Sequence, residues 1–300
     1  MNWMGRWGGW FAISLGLAVA GGCGHGVVFG DLEASGVRVA SFNLRMNTVK
    51  DGLDAWPLRK DAAVGVMREF DVVGVQEALP GMLAEIDAAL SGWQRVGSGR
   101  EDDGGGEACS IYYRDGRLEC LASDTFWLSE TPEVPGSMGW DAACPRVATW
   151  ARLREREGGA RFVVVNVHLD HKGQEARVMS ARLLLDRIGD LAAGDPLLLI
   201  GDFNVTETNE VYRVLTEGGL ADARLQEGVV VDGPAATWNG FGRDPLDRRI
   251  DYVFERFDGT GAQLLEFATL DGSIGDVLGN DNARYPSDHF PVSALVRLPQ

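Results

Sequence analysis

Basic residues are in short supply: 28 Lys and Arg stand against 44 Asp and Glu, a formal net charge of -16. Proteins that grip a nucleic-acid backbone neutralise its phosphates with Lys and Arg. The acidic balance therefore argues against long DNA or RNA as the main partner, although a local basic groove stays open. Cysteine is scarce too, four in 300 residues, and no CxxC spacing occurs. That excludes the usual zinc-ribbon patterns. With Cys23 set aside, Cys109, Cys120 and Cys144 remain, an odd number that cannot all pair within the chain. We expect small buried residues there, with neither a disulfide framework nor a zinc site. The longest apolar stretch near the start, Trp10 to Ala20, is short for a membrane span. No repeat and no low-complexity block is seen.

What is present is an ordinary globular composition, 45% hydrophobic and 24% charged, on a chain long enough for a sizeable core. Residues 1–22 read as an export signal: Arg6, the apolar run, then Gly21 and Gly22 before Cys23. Small residues ahead of a cysteine resemble a bacterial lipoprotein signal, so Cys23 is expected to be lipidated. Plain secretion, a retained anchor and a buried N-terminal helix are the alternatives. Residues 23–36 would form a tether, with His25 in it, and 37–300 a single α/β domain.

Alternating, β-branched stretches predict strands over 37–43, 72–76, 149–153, 161–168, 197–201, 250–254 and 291–296. Helical periodicity covers 57–70, 79–90, 175–191 and 210–216. Strands over 110–114 and 117–128 flank Asp115-Gly116, which predicts a hairpin. The Pro-containing segment 129–145 reads as an ordered loop or lid.

Chemistry gathers where apolar strands end, the place an α/β sheet presents its functional groups. Asn43 ends the first strand, Glu77 follows VVGVQ, and His168 closes FVVVNVH. Asp202 and Asn204 follow LLLI, Asp251 lies in RRIDYVF, and Asp288-His289 precede the last strand. A carboxylate after a buried strand is costly unless it is paired or metal-bound. Glu77 is thus either a ligand for a hard cation or a helix N-terminal carboxylate. Asp202 and Asn204, two apart, would point to one side of an extended chain; an Asx turn is the alternative. Asp251 with Asp288-His289 suggests a carboxylate–imidazole pair able to hold a proton near neutral pH. His168 is either part of this constellation or a satisfied core histidine.

SFN, QE, NVHLD, GDFN, RIDYVF and SDHFP occur in that order over nearly the whole chain after residue 36. Together they resemble the endonuclease/exonuclease/phosphatase superfamily. The resemblance implies a DNase I-like four-layer α/β/β/α sandwich and in-line attack of water on a phosphate ester. It implies that Asn43 and Glu77 hold Mg2+ or Mn2+, with help from Asp288. It implies that Asp202 orients or deprotonates the water, that Asn204 and His168 contact the phosphate, and that Asp251 orients His289. Arg146, in CPRVATWARL, is expected to reach the phosphate, a surface Arg being the alternative. Trp127 and Trp140 either line a leaving-group pocket or pack. Asp170, His171 and Arg177 are candidates for the rim.

The expected function is a metal-dependent phosphoesterase, exported, acting on a small or lipid-derived phosphate ester. Membrane contact would come only through the N-terminal lipid. A secreted nuclease and an inactive scaffold lipoprotein are the alternatives. Substrate identity, mono- against diesterase, metal count and oligomeric state are not legible, because one catalytic core in this superfamily serves several substrates.

Overall fold

The computed structural model describes residues 36–271 and 285–299. The expected signal, the lipidated Cys23 and all but the last residue of the tether lie outside them. Among the described residues no helix is long and apolar enough to cross a membrane.

Two parallel β-α-β units set the frame. In the first, β1 (Val37–Asn43) leads through α1 (Trp56–Met67) to β2 (Val72–Gln76), which pairs parallel with β1. In the second, β7 (Arg161–His168) leads through α3 (Gln174–Ala192) to β8 (Leu197–Asp202), again parallel. Such pairs need a long crossover, and a helix supplies it. Pro57 and Pro80 sit in the first turns of α1 and α2 (Pro80–Ala89), where a missing N–H costs nothing. Asn209 caps α4 (Glu210–Glu217) by accepting from the Val211 amide at 3.0 Å.

The remaining strands are β3 (Trp93–Val96), β4 (Ile111–Arg114), β5 (Leu118–Trp127), β6 (Val147–Glu155), β9 (Ala221–Asp222), β10 (Val230–Asp232), β11 (Asp251–Arg256), β12 (Gln263–Thr269) and β13 (Val292–Arg297). They complete a seven-stranded sheet, β10-β12-β13-β1-β2-β4-β3, and a six-stranded one, β5-β6-β7-β8-β11-β9. Three apolar layers hold them. Phe42, Val73 and Val75 pack with Trp56, Val64 and Met67 of α1. Val163, Val165 and Leu199 pack with Leu184 and Ile188 of α3. Val39, Val72, Val164 and Ile200 meet between the sheets. Side-chain alternation along each strand splits these layers, which gives the expected α/β/β/α sandwich.

Near the rim that carries the site, the inter-sheet layer turns polar. Gln76 Nε2 donates to Ser41 Oγ (3.1 Å) and to Asn166 Oδ1 (2.6 Å), and Asn166 Nδ2 donates to the Val75 and Ser110 carbonyls at 3.0 Å each. Gly74 is required there by close approach: a Cβ would lie 2.7 Å from both Asn166 Cγ and Ile200 Cδ1. Asn166 is held by its bonds and cannot move aside. Gly74→Ala is therefore expected to destabilise the fold by about 1–3 kcal/mol, read from the midpoint of urea unfolding.

One element differs from expectation. The 110–128 segment is not a hairpin. β4 pairs with β2 and β3 in one sheet, while β5 pairs with β6 in the other. The turn exists, with the Arg117 amide on the Arg114 carbonyl at 3.1 Å. Neither Asp115 nor Gly116 has positive φ. The two-residue turn that matches strand twist needs positive φ at both positions, so the chain crosses between sheets instead. Both edges of β4 are already occupied. Cys109 therefore precedes β4 of one sheet, and Cys120 lies in β5 of the other. Cys109 is buried, whereas Cys120, beside a bulge in edge strand β5, and Cys144 are half-buried, and all three are free thiols. Strands β3, β9, β10 and β12 go beyond the sequence expectation, being short or weakly patterned.

Candidate active site

Strand register assembles the site. His168 and Asp202 are direct partners at the ends of β7 and β8, and Asp251, which opens antiparallel β11, faces Asp202 from the other side. Across the sandwich, Asn43 at the end of β1 pairs with Gln76, and Glu77 follows. One rim thus collects residues from both sheets.

Asn43 bridges the sheets. Its Nδ2 donates to Asp202 Oδ2 at 2.9 Å and to Glu77 Oε1 at 3.1 Å. Glu77 sits at φ 59, in the left-handed region, and its Oε2 accepts from the Met46 amide at 2.9 Å. Arg45 (φ 53) and Asn204 (φ 53) share that conformation, which costs about 1–3 kcal/mol per residue and clusters at functional sites. Arg45 pairs with Asp51 at 3.1 Å and lies 3.9 Å from both Glu77 and Asp288.

Asp202 is the hub. Its Oδ2 lies 3.5 Å from His168 Nε2 and 3.8 Å from His289 Nε2. Burial, then the neighbouring Asp251 carboxylate, push its carboxyl up to about 7. His289 Nδ1 lies 2.9 Å from Asp251 Oδ2, which also accepts from the Thr237 hydroxyl at 2.6 Å. Burial works against the charged ring, but Asp251, then Asp202 and Asp288, prevail and raise His289 to about 10. His168 goes the other way: burial and the charges of Arg146, His289 and Arg100 hold it well below its usual value. At neutral pH the rim therefore carries an imidazolium at His289, a neutral imidazole at His168, and a carboxyl at Asp202 poised to exchange a proton.

Asn204 is placed by a turn, not by an extended chain. Its amide donates to Asp202 Oδ1 at 2.8 Å and its Nδ2 to the Leu169 carbonyl at 3.0 Å. The Asx-turn alternative is the observed geometry. No hydrogen bond or ion pair joins Arg146 to these residues. It is buried, with Nη2 3.0 Å from His171 Nδ1 and Nε 3.5 Å from Asp170, and it shares a recess with Glu77 and His168. Asp170 accepts from the Ala143, Lys172 and Gly173 amides, so it fastens the 129–145 loop. Arg177 donates to the Asp170 carbonyl at 2.7 Å. Trp127 packs on Cys109 and Val147, which favours its packing role.

Three contributors have no local sequence signal. Thr237 accepts from the Ile250 and Asp251 amides at 3.0 Å each while donating to Asp251. Arg59 reads as a surface residue on a helix, yet it is buried and donates to the carbonyls of Leu44, Arg45, Asp54 and Pro286. It thereby ties the end of β1 to the segment that carries Asp288 and His289. Arg100 lies in a Gly-rich loop and reaches the recess beside Glu77.

Two groups among the described residues bring potential metal donors within 4.8 Å of one another: Asp202-Asp251-His289 and Cys144-Asp170-His171. In the first, Asp251 Oδ2 is already committed to Thr237 and His289, while its Oδ1 is buried without a hydrogen-bond partner among the described residues. In the second, Arg146 competes for Asp170 and His171. Asn43 turns its Nδ2 toward Glu77 and accepts from the Arg45 amide at Oδ1 (2.9 Å), but Glu77 and Asp288 form a better-suited pair. They offer hard oxygen donors, and a guanidinium already lies at ion-pair range from both carboxylates.

The profile of the Endonuclease/Exonuclease/phosphatase family matches residues 40–289. The chain belongs to this family. The DNase I-like sandwich agrees with that membership. A family member from Bacteroides thetaiotaomicron is 34% identical, with 87% of this chain and 95% of that one covered and a TM-score of 0.79. A mannosyl-6-phosphatase of the same organism is 33% identical over 87% of this chain and 99% of its own, with a TM-score of 0.78. Among curated proteins, Drosophila melanogaster Nocturnin is 28% identical over 220 residues, 63% of this chain. The chain spans only 32% of that relative's length.

Proposed function

We propose that this chain is a divalent-metal-dependent phosphoesterase that hydrolyses a small phosphate ester outside the cytoplasm. The observation that carries the reading is Asp202, buried and raised to about 7, in contact with Asn43 and within 4 Å of two imidazoles in opposite charge states. Phosphoryl transfer needs positioning and charge neutralisation rather than covalent help. Asp202 orients the attacking water and accepts its proton. His289, held protonated by Asp251, stabilises the charge that develops on the phosphate oxygens. Neutral His168 and Asn204 donate hydrogen bonds to those oxygens, and Arg146 adds charge beside them. Glu77 and Asp288 would hold Mg2+ or Mn2+, which supplies electrostatic activation of the phosphate when bound.

A small ester is favoured over nucleic acid by the net charge of -16 and by the likeness to the mannosyl-6-phosphatase. The export proposal, with Cys23 lipidated, rests on residues 1–23 alone.

The test is hydrolysis by the purified chain of a phosphomonoester, a phosphodiester, DNA, RNA and a phospholipid, with Mg2+, with Mn2+ and with chelator. Metal-dependent turnover of a small ester is expected. Turnover of DNA or RNA alone would transfer the reading to a nuclease, and folded, metal-loaded protein inert on every substrate would favour a scaffold. Glu77→Gln is expected to raise the metal concentration for half-maximal activity at least about tenfold, followed by metal titration.

A further inference from the structure

Beside Glu77 and His168 lies a small recess, partly open to solvent. Buried Ala108, Cys109 and Val147 form part of its lining. The cations that line it, Arg100 and Arg146, come from different loops and are both largely withdrawn from solvent, with side chains 17% and 6% exposed.

Neither guanidinium is fully engaged. Arg100 Nη1 pairs with Glu107 at 2.9 Å, whereas its Nε has only a 3.6 Å ion-pair contact with half-exposed Glu101 and is buried with no hydrogen-bond partner among the described residues. Arg146 makes one hydrogen bond to a neutral ring, at His171, and a long 3.5 Å contact to Asp170. Asp170 already accepts three backbone amides, which draws its charge away from Arg146. Glu107 is the one remaining counter-charge in the recess besides Glu77, and burial raises its carboxyl toward the neutral form. Buried guanidiniums with unused donors call for an anion, and their planar forks match phosphate oxygens.

We propose that Arg100 and Arg146 form a two-cation seat for the charged oxygens of a terminal phosphate, which makes the site select a phosphomonoester over a phosphodiester. This rests on the phosphoesterase reading above. Charge supports the choice. A phosphomonoester carries nearly two negative charges at neutral pH and a diester only one, so a pair of cations discriminates between them. Arg100 is then a specificity-determining residue, whereas Asp202 and His289 serve either ester.

The test compares the purified chain with Arg100→Gln and Arg100→Lys on p-nitrophenyl phosphate and bis-p-nitrophenyl phosphate with Mg2+. Inorganic phosphate affinity is measured alongside by titration calorimetry, and thermal melting checks folding. The parent is expected to prefer the monoester. In Arg100→Gln, kcat/KM for the monoester is expected to fall about tenfold or more, with a clearly smaller loss for the diester. Phosphate affinity should fall in parallel, with partial recovery in Arg100→Lys. Equal losses on both esters, or unchanged phosphate affinity, would overturn the seat. Weakened phosphate binding in a parent that hydrolyses neither ester would keep the seat and sink the hydrolase reading. Hydrolysis with unaltered phosphate affinity would do the reverse.

Discussion

Asp202→Asn is expected to lower kcat by roughly 10²- to 10⁴-fold, the range for loss of a positioned general base, while the protein melts no lower than its parent. The two halves have one cause. Burial is the largest influence on this carboxyl and Asp251 the next, and both disfavour the charged form. Its folded pKa of about 7 exceeds the ordinary 3.8. The unfolded chain therefore gives up this proton first, and the parent loses stability from this group as pH rises from about 4 through about 7. A neutral amide escapes that loss. It can still accept from the Asn204 amide, the 2.8 Å bond that shapes the turn, and forfeits in exchange the 2.9 Å bond that Asp202 Oδ2 accepts from Asn43 Nδ2. It cannot take a proton from water. Steady-state kinetics and thermal melts at pH 8 check both halves. Retained activity, or a large fall in melting temperature, would remove Asp202 from the proposed role.

Asp251→Asn should be nearly as damaging, with a fall in kcat of about 10²-fold or more and a distinctive pH signature. Asp251 is the foremost influence that raises His289, through both charge and the 2.9 Å hydrogen bond. In the parent, kcat/KM is expected to rise as Asp202 loses its proton, through about 7, and to fall as His289 loses its own, through about 10. A divalent cation at Glu77 would move the acid limb downward, because positive charge favours the carboxylate. Without the Asp251 charge, burial dominates at His289 and the alkaline limb moves down toward or below the ordinary 6.5. The Asn amide must also satisfy Thr237, which now donates to Asp251 at 2.6 Å. A pH–rate profile separates this positioning role from mere destabilisation, since loss of folded protein scales activity without moving a limb. An unmoved alkaline limb would mean that Asp251 does not set the charge of His289.

Much of the frame was legible because its signals are local. β1, β2, β7 and β8 fall where short, continuous apolar runs predict them, for strands covered on both faces read that way. The catalytic candidates mark the ends of those same runs. The 110–128 segment was misread because a turn dipeptide reports a chain reversal and not which sheet each arm joins. Pairing of β4 with β2 and β3 decided that. Edge strands such as β10, exposed along its length, lack the burial that writes a pattern into sequence. Arg59 and Thr237 were invisible because their partners lie far along the chain, Pro286 for one and Asp251 for the other.

Residue order alone points to the family, the run of core strands and the candidate site residues, because each depends on side-chain type and on spacing along one chain. Proton placement does not follow from order. That Asp202 is raised, His289 is charged and His168 is neutral arises from burial and from charges brought close across the rim, as when Asp251 meets His289. Electrostatic energies depend on distance and on exclusion of water, and only the folded sandwich sets those.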